Sequence, residues 1–200
     1  TLYSWCGAIH ARSPYQIATK ISTSLFNHPY AALRHDIPSH VGILVDRTEH
    51  VLGTARNLTL NHTLLGYYLA FQHAVRANQI LAAVIDGSAA FVKLRLGLLR
   101  RGIRASHPLR FCPHCVTADK ANMERATWHL KHQLPGAFAC LEHTCPLIHV
   151  HCSVAPYQLR KWICPAASQS SLTAKRYDLR NDQDLEMALT LAQFAWQASM

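Results

Sequence analysis

The chain has 200 residues, half of them hydrophobic, so it can bury a core; this excludes a disordered chain and one that needs disulfides to fold. Its formal net charge is +9, from 20 Lys and Arg against 11 Asp and Glu, which favours a polyanionic partner such as nucleic acid. The sequence shows no secretory signal and no apolar run long enough to cross a membrane, so we expect an intracellular, reducing setting.

The first hundred residues carry helical periodicity. Two short helices are predicted before residue 27, and Pro14 suits the first turn of the second. Ser39 is the predicted cap of a third helix that Gly53 ends, and a fourth helix starts at Thr54. The apolar positions of the third helix are expected to be buried; they are Val41, Ile43, Leu44, Val45 and Val51.

A helix, a glycine break and a second helix are the minimal pattern of a helix-turn-helix unit. The residues predicted to face a DNA groove are Arg56, Asn57 and Asn61, on the helix that follows Gly53. The pattern is weak alone, because any helical bundle contains such pairs of helices. Both interpretations, a DNA-reading unit and a plain bundle, follow from these residues.

A basic segment without acids precedes the cysteine-rich part of the chain. Its basic residues are Lys93, Arg95, Arg100, Arg101, Arg104 and Arg110. We interpret the segment as a strip facing phosphates, with Arg100, Arg101 and Arg104, together with Lys131 further on, contacting the DNA backbone. The alternative is a solvated helix end.

Five of the seven cysteines lie between Phe111 and Cys152, in the stretch FCPHCVTADKANMERATWHLKHQLPGAFACLEHTCPLIHVHC. Cys112 and Cys115 form a C-x2-C pair, and Cys140 and His143 form a C-x2-H pair after 24 intervening residues. Two such pairs can close a tetrahedron around Zn²⁺. A thioredoxin-like dithiol would need a βαβ context, and a catalytic Cys/His pair would not need four soft ligands. The spacing therefore predicts one structural zinc site, with no open position for hydrolysis.

The remaining cysteines do not complete a second pair of this kind. A second site from Cys152 and Cys164 is conceivable, but buried or free thiols are the favoured interpretation for these two and for Cys145. Beyond them, SQSSLTAKRYD predicts a polar linker, and residues 182–199 predict an amphipathic helix. The inward positions of that helix are expected at Leu185, Leu189, Ala192 and Trp196.

The predicted fold is mainly α: an N-terminal helical bundle with a helix-turn-helix-like unit, a small CCCH zinc-finger module and a C-terminal helix. The expected boundaries are 1–106 for the helical domain, 107–168 for the zinc-finger module, and 169–200 for the linker and C-terminal helix. Because the sequence stops inside a helical pattern, a further helical region is expected in a longer parent chain.

Several segments resemble the TniQ/TnsD family of transposon target-site selectors. They are TLYSW at the start, LRHDIPSH at 33–40, NHTLLGYYLAF at 61–71, LRFCPHC at 109–115 and WHLKHQLPGAFACLEH at 128–143. The resemblance maps the family's zinc ligands onto the same four residues that the spacing selects. Gly7 and Ala8 stand where the family commonly has an Arg, and a second CxxC of many members is reduced here to Cys152.

The resemblance implies a cytoplasmic, nucleoid-associated bacterial protein of DNA recombination that is not an enzyme. Such a protein would bind double-stranded attachment-site DNA and recruit an AAA+ ATPase regulator, which brings the transposase. The alternative within the same family is an adaptor that docks on a CRISPR effector complex, or on a second copy of itself, and reads little DNA. A third alternative, an enzyme with a Cys nucleophile, would need a perturbed thiol beside an unliganded His.

Overall fold

The computed structural model describes residues 1–15, 17–88, 92–98, 108–151, 162–165 and 173–200. Most of the described elements are helices, as the sequence predicts. In the first half they are α1 (Leu2–Arg12), α2 (Ala18–Phe26), α3 (Val41–Arg47), α4 (Ala55–His62), α5 (Leu65–Leu69), α6 (Ala74–Asp86) and α7 (Val92–Arg95). In the second half they are β1 (Leu109–Phe111), α8 (Pro113–Met123), α9 (Leu130–Gln133), β2 (Ala139–Cys140), β3 (Cys145–Pro146), β4 (Ile148–His151), β5 (Thr173–Arg176) and α10 (Asp182–Ala198).

The start of α4 is set by a side-chain cap, as the sequence predicts. The hydroxyl of Thr54 accepts a hydrogen bond from the backbone N–H of Asn57 at 3.2 Å, which satisfies one of the free donors of the first turn. A turn that includes Gly53 at φ +85° separates this helix from α3, against which it packs. The helix, turn and helix of the predicted unit are therefore present.

Helix α3 differs from its prediction at both ends. Its cap is His40, in the left-handed conformation at φ 59°, rather than Ser39, whose hydroxyl lies 3.0 Å from His40 Nδ1. The helix ends at Arg47, and the chain then turns through Glu49 and His50, both at positive φ. Val51 falls in this turn and is 84% exposed, so the prediction that it is buried is wrong.

The zinc-finger region contains two small antiparallel sheets. In the first, β4 lies between β1 and β5, with Leu109 opposite Val150 and Ile148 opposite Arg176. In the second, β2 pairs with β3, and Cys140 lies opposite Cys145. The predicted linker is wrong where it covers β5, because backbone pairing with β4 turns this polar segment into an edge strand.

Helix α10 packs against β2 and α9 through small side chains. Ala188, Ala192 and Ala195 are buried, which lets the helix approach closely, while Leu185 and Trp196 are half-buried on the same side. The predicted inward face is thus present, and its centre is alanine. No helix in the described part of the chain has the length and apolarity that a bilayer-spanning helix requires.

Trp128 joins the N-terminal helix to the zinc-finger region. Its backbone N–H donates to the hydroxyl of Ser4 at 2.7 Å, and its indole N–H donates to the carbonyl of Ile163 at 2.8 Å. The side chain is 1% exposed and belongs to one hydrophobic core that includes residues of both halves. The domain boundaries at 106/107 and 168/169 remain predictions. Helix α1, from the N-terminal side of the first boundary, contacts Trp128 on its C-terminal side.

Candidate metal centre

Two local structures present the four predicted zinc ligands. Cys112 is the cap of α8, Pro113 fills the first helical position, and Cys115 lies in the first turn. This end of a helix carries a partial positive charge, which favours thiolates. Cys140 ends β2, and His143 lies in the turn that leads to β3. A helix start and a hairpin turn therefore face each other.

The ligand atoms have the spacing of a tetrahedral zinc site. His143 Nδ1 lies 3.7 Å from Cys112 Sγ, 3.4 Å from Cys115 Sγ and 3.6 Å from Cys140 Sγ. The Sγ atoms of Cys115 and Cys140 are 3.7 Å apart, and all four ligand atoms lie within 4.8 Å of one another. Bond lengths of about 2.3 Å for Zn–S and about 2.0 Å for Zn–N give tetrahedral edges of about 3.8 Å and 3.5 Å.

Burial opposes ionisation of the Cys115 thiol, and a bound cation would offset this effect. The three cysteines are buried, and only His143 is exposed. Burial and the adjacent Cys140 raise the pKa of the Cys115 thiol to about 12. A divalent cation offsets this cost, because metal thiolates form with release of their protons. Four protein donors close the coordination sphere, so the centre is a single structural zinc site.

Three consecutive residues of α9 tie the metal centre to its surroundings. Lys131 forms an ion pair with Glu142, which lies between two ligands in the sequence. His132 is 1% exposed, and its Nε2 lies 3.9 Å from Cys115 Sγ. Gln133 accepts a hydrogen bond from the backbone N–H of Arg110 at 2.9 Å and donates to its carbonyl at 2.6 Å.

Charge and burial set the ionisation of two of these neighbours. The ion pair with Lys131 lowers the pKa of Glu142, which therefore stays ionised. Burial lowers the pKa of His132, which favours a neutral ring that can donate its one N–H to a thiolate. Sequence reasoning missed His132 and Gln133. The signal available was a run of polar residues in a short helix between the two ligand pairs.

The other described cysteines stand apart from the four ligands. Cys145 Sγ lies 3.5 Å from Cys112 Sγ but outside the set of four, and Cys164 Sγ lies 3.6 Å from an Arg125 nitrogen. Cys6 is fully buried, which raises the pKa of its thiol. None of the six described cysteines forms a disulfide. Cys152 lies outside the described residues, so the prediction that it forms no second metal site with Cys164 stays a prediction.

The predicted DNA-contacting residues fall into three groups. Arg56, Asn57 and Asn61 are exposed on α4, and an Arg56 nitrogen lies 3.5 Å from Asn78 Oδ1 on α6. Lys131 is on α9 in the zinc-finger region, with its side chain 18% exposed and paired to Glu142. The last group, Arg100, Arg101 and Arg104, lies outside the described residues.

Two members of the predicted basic strip have structural roles instead. Lys93 forms an ion pair with the buried Asp36 at 2.5 Å. Arg110 is 4% exposed, and one of its guanidinium nitrogens donates to the carbonyls of Leu134 and Ala137 at 2.8 and 3.2 Å. The prediction of a phosphate-facing strip is therefore wrong for Lys93 and Arg110, because both side chains bind buried acceptors of the protein itself.

Comparison with sequence models of protein families identifies the family of this chain. A sequence model of the TniQ family matches residues 1–147, which include all four zinc ligands. No curated protein gives a significant match to the chain. Because the family match covers 147 of the 200 residues, the chain belongs to the TniQ family, a family of transposition-associated proteins.

Proposed function

We propose that the protein selects transposon target sites by binding attachment-site DNA and recruiting the AAA+ regulator and, through it, the transposase. The observation that carries this proposal is the exposed polar face of α4, which begins at a capped residue after a turn. Arg56, Asn57 and Asn61 point away from the core on this helix, and Asn57 and Asn61 are one helical turn apart. Family membership in transposition supports it.

The chemistry of these side chains suits base edges in the major groove. An arginine can donate two hydrogen bonds to guanine, and an asparagine can pair with the N6 and N7 atoms of adenine. In a helix-turn-helix unit the second helix enters the groove, and here the second helix is α4. Its start lies on the partly positive end of the helix dipole, which favours nearby phosphates.

The zinc centre supports the proposal as a scaffold. It cross-links the start of α8 to the β2–β3 turn and gives a small region a rigid surface without a larger core. Its closed donor set leaves no position for a water or a substrate, so we propose no catalytic role for it. Lys131 supports DNA contact less than α4 does, because a phosphate would have to displace Glu142 from its ammonium group.

The alternative is an adaptor that docks on a CRISPR effector complex. One observation favours it: Met187, Leu191 and Phe194 form an exposed apolar stripe along α10, with 59%, 44% and 62% of each residue exposed. Exposed apolar residues at helical spacing are typical of protein contacts. A Phe194→Asp substitution that abolishes association with the effector complex, in a protein without DNA preference, would favour the adaptor.

Selection of duplexes from a randomised pool tests the DNA-reading proposal and needs no candidate target sequence. The purified chain should enrich one sequence, and that duplex should bind more tightly than a scrambled one of equal length. Arg56→Ala and Asn61→Ala should each reduce this preference about tenfold, since a bidentate base contact is worth about 1–3 kcal/mol of discrimination. Lys175→Ala, at an exposed strand position, is the matched control. No enrichment above the input pool would overturn the proposal.

A further inference from the structure

The N-terminal half of α6 and the adjoining α7 enclose an open basic cleft. Two grooves make it up. One is lined by His73, Val75, Arg76, Gln79, Ile80 and Arg95. The other is lined by Gln72, Arg76, Leu94, Arg95, Leu96 and Gly97. Arg76 and Arg95 line both grooves, so the two grooves form one channel, and none of the described residues that line it is acidic.

Arg76 and Arg95 differ from Lys93, on the same helix as Arg95, in having no acidic partner among the described residues. Among the described residues, neither Arg76 nor Arg95 forms an ion pair, although both are exposed. Lys93, in contrast, forms an ion pair with Asp36 at 2.5 Å. The positive charge of the cleft is therefore available to a ligand.

The position of one guanidinium group is fixed by the fold. Arg76 donates a hydrogen bond to the backbone carbonyl of Arg95, which ties α6 to α7 and holds the two arginines on the same channel. His73 caps α6 without a side-chain hydrogen bond to the first turn, so the free N–H groups at the start of this 13-residue helix lie beside the channel.

The scarcity of acidic residues around the cleft preserves its positive charge. Across helices α4 to α7, from Thr54 to the end of α7, the sequence of the described residues contains a single acid, Asp86, at the far end of α6. Arg56 contacts α6 through Asn78, so the proposed reading helix and the cleft belong to one helical assembly. Few carboxylates are near enough to repel an anion.

We propose that this cleft binds the phosphodiester backbone of the DNA duplex whose bases α4 reads. Guanidinium groups pair with phosphate oxygens through two parallel hydrogen bonds. The channel is open along its length, and none of its described lining residues is a Phe, Tyr or Trp that could stack on a base, which suits a continuous backbone rather than a free nucleotide. The inference rests on the proposed DNA-binding function and assigns a separate surface to positioning, which carries no sequence preference.

The test is a salt series of duplex binding by fluorescence anisotropy. The full chain is titrated with the selected duplex and with a scrambled one. The double variant Arg76→Ala/Arg95→Ala should lower the slope of log K against log salt by about 1.8, since each phosphate contact contributes about 0.9. Affinity should fall about equally for both duplexes. The variant Lys120→Ala/Lys175→Ala removes the same charge from exposed positions elsewhere and should leave the slope unchanged.

Two further measurements keep the outcome clear. Arg76→Lys/Arg95→Lys should restore most of the slope, and circular dichroism should show that the alanine variant is folded. An unchanged slope in the alanine variant, or an equal loss of slope in the control variant, would overturn the proposal that the cleft binds phosphates. The sequence preference of the wild type would then still support the proposed function. Equal displacement of the duplex by polyglutamate of matched charge would assign the cleft to an acidic peptide and overturn it too. No duplex binding by the wild type overturns both proposals.

Discussion

The Sγ atoms of Cys115 and Cys140 lie 3.7 Å apart, although 24 residues separate them in the sequence. Apolar packing alone gives no reason to bring two buried thiols this close, since the neighbouring Cys140 raises the pKa of Cys115. A shared cation removes this cost. The contact is thus best understood as one edge of a metal tetrahedron, and it cross-links the start of α8 to the β2–β3 hairpin.

Zinc content should follow the four ligands and no other cysteine. Elemental analysis of the wild type should give about one zinc per chain, and Cys112→Ser or Cys140→Ser should lose most of it together with cooperative unfolding, because structural zinc contributes folding free energy directly. Cys145→Ser is the matched control, because this thiol lies 3.5 Å from Cys112 Sγ but outside the ligand set. Loss of zinc in the Cys145 variant alone would contradict the assignment.

Replacing the buried Arg110 should destabilise the protein strongly. Arg110→Met leaves the carbonyls of Leu134 and Ala137 without their donor, and hydrogen bonds to a charged group are worth about 1.5–3 kcal/mol. We expect the free energy of unfolding in urea to fall by about 3 kcal/mol. Arg180→Met, at an exposed position, should change it by less than about 0.5 kcal/mol. Equal effects of the two substitutions would refute a structural role for Arg110.

Two glycines with the same backbone conformation should respond differently to substitution. Gly53 and Gly87 have φ of +85° and +86°, but an added Cβ meets nothing within 4 Å at Gly53 and lies 2.4 Å from the His40 ring at Gly87. Gly53→Ala should therefore cost about 1 kcal/mol of unfolding free energy, the strain of the left-handed conformation alone. Gly87→Ala should cost more, and His40→Ala in that background should recover part of the loss. Thermal denaturation of the set checks this.

Stability at acid pH should depend on Asp36. Burial raises the pKa of this carboxyl, but His35 and Lys93 outweigh burial and bring it below its ordinary value of 3.8. A lowered folded-state pKa stabilises the protein above the unfolded-state pKa, and this contribution disappears as the pH falls from about 4 toward the folded-state value.

Asp36→Asn should therefore lower the free energy of unfolding by about 2 kcal/mol at pH 7, since the hydrogen-bonded ion pair with Lys93 is lost. The difference from the wild type should shrink below about pH 4, where the wild-type carboxylate is protonated as well. Measuring both proteins at each pH cancels the loss of zinc in acid, which they share. A difference that is constant from pH 3 to pH 7 would contradict the ionised Asp36.

The parts of this structure that the sequence predicts are those set by local rules. The two residues between Cys112 and Cys115 let both side chains face one metal ion, independently of the rest of the fold. Thr54 caps α4 by accepting a hydrogen bond from the backbone N–H only three residues away. The positions missed depend on distant partners. Residues 173–176 form a strand only because β4 offers an unpaired edge, and Arg110 is buried only because a later loop brings three carbonyls to it.

The three adjoining contacts of α9 make the length of this segment critical. Lys131, His132 and Gln133 each reach a different part of the zinc-finger region: a carboxylate, a ligand sulfur and the backbone of a strand. Inserting one residue after Leu130 would rotate all three by about 100° around the helix axis and break every contact at once. The segment should therefore tolerate no insertion or deletion, and its length should be fixed in functional variants.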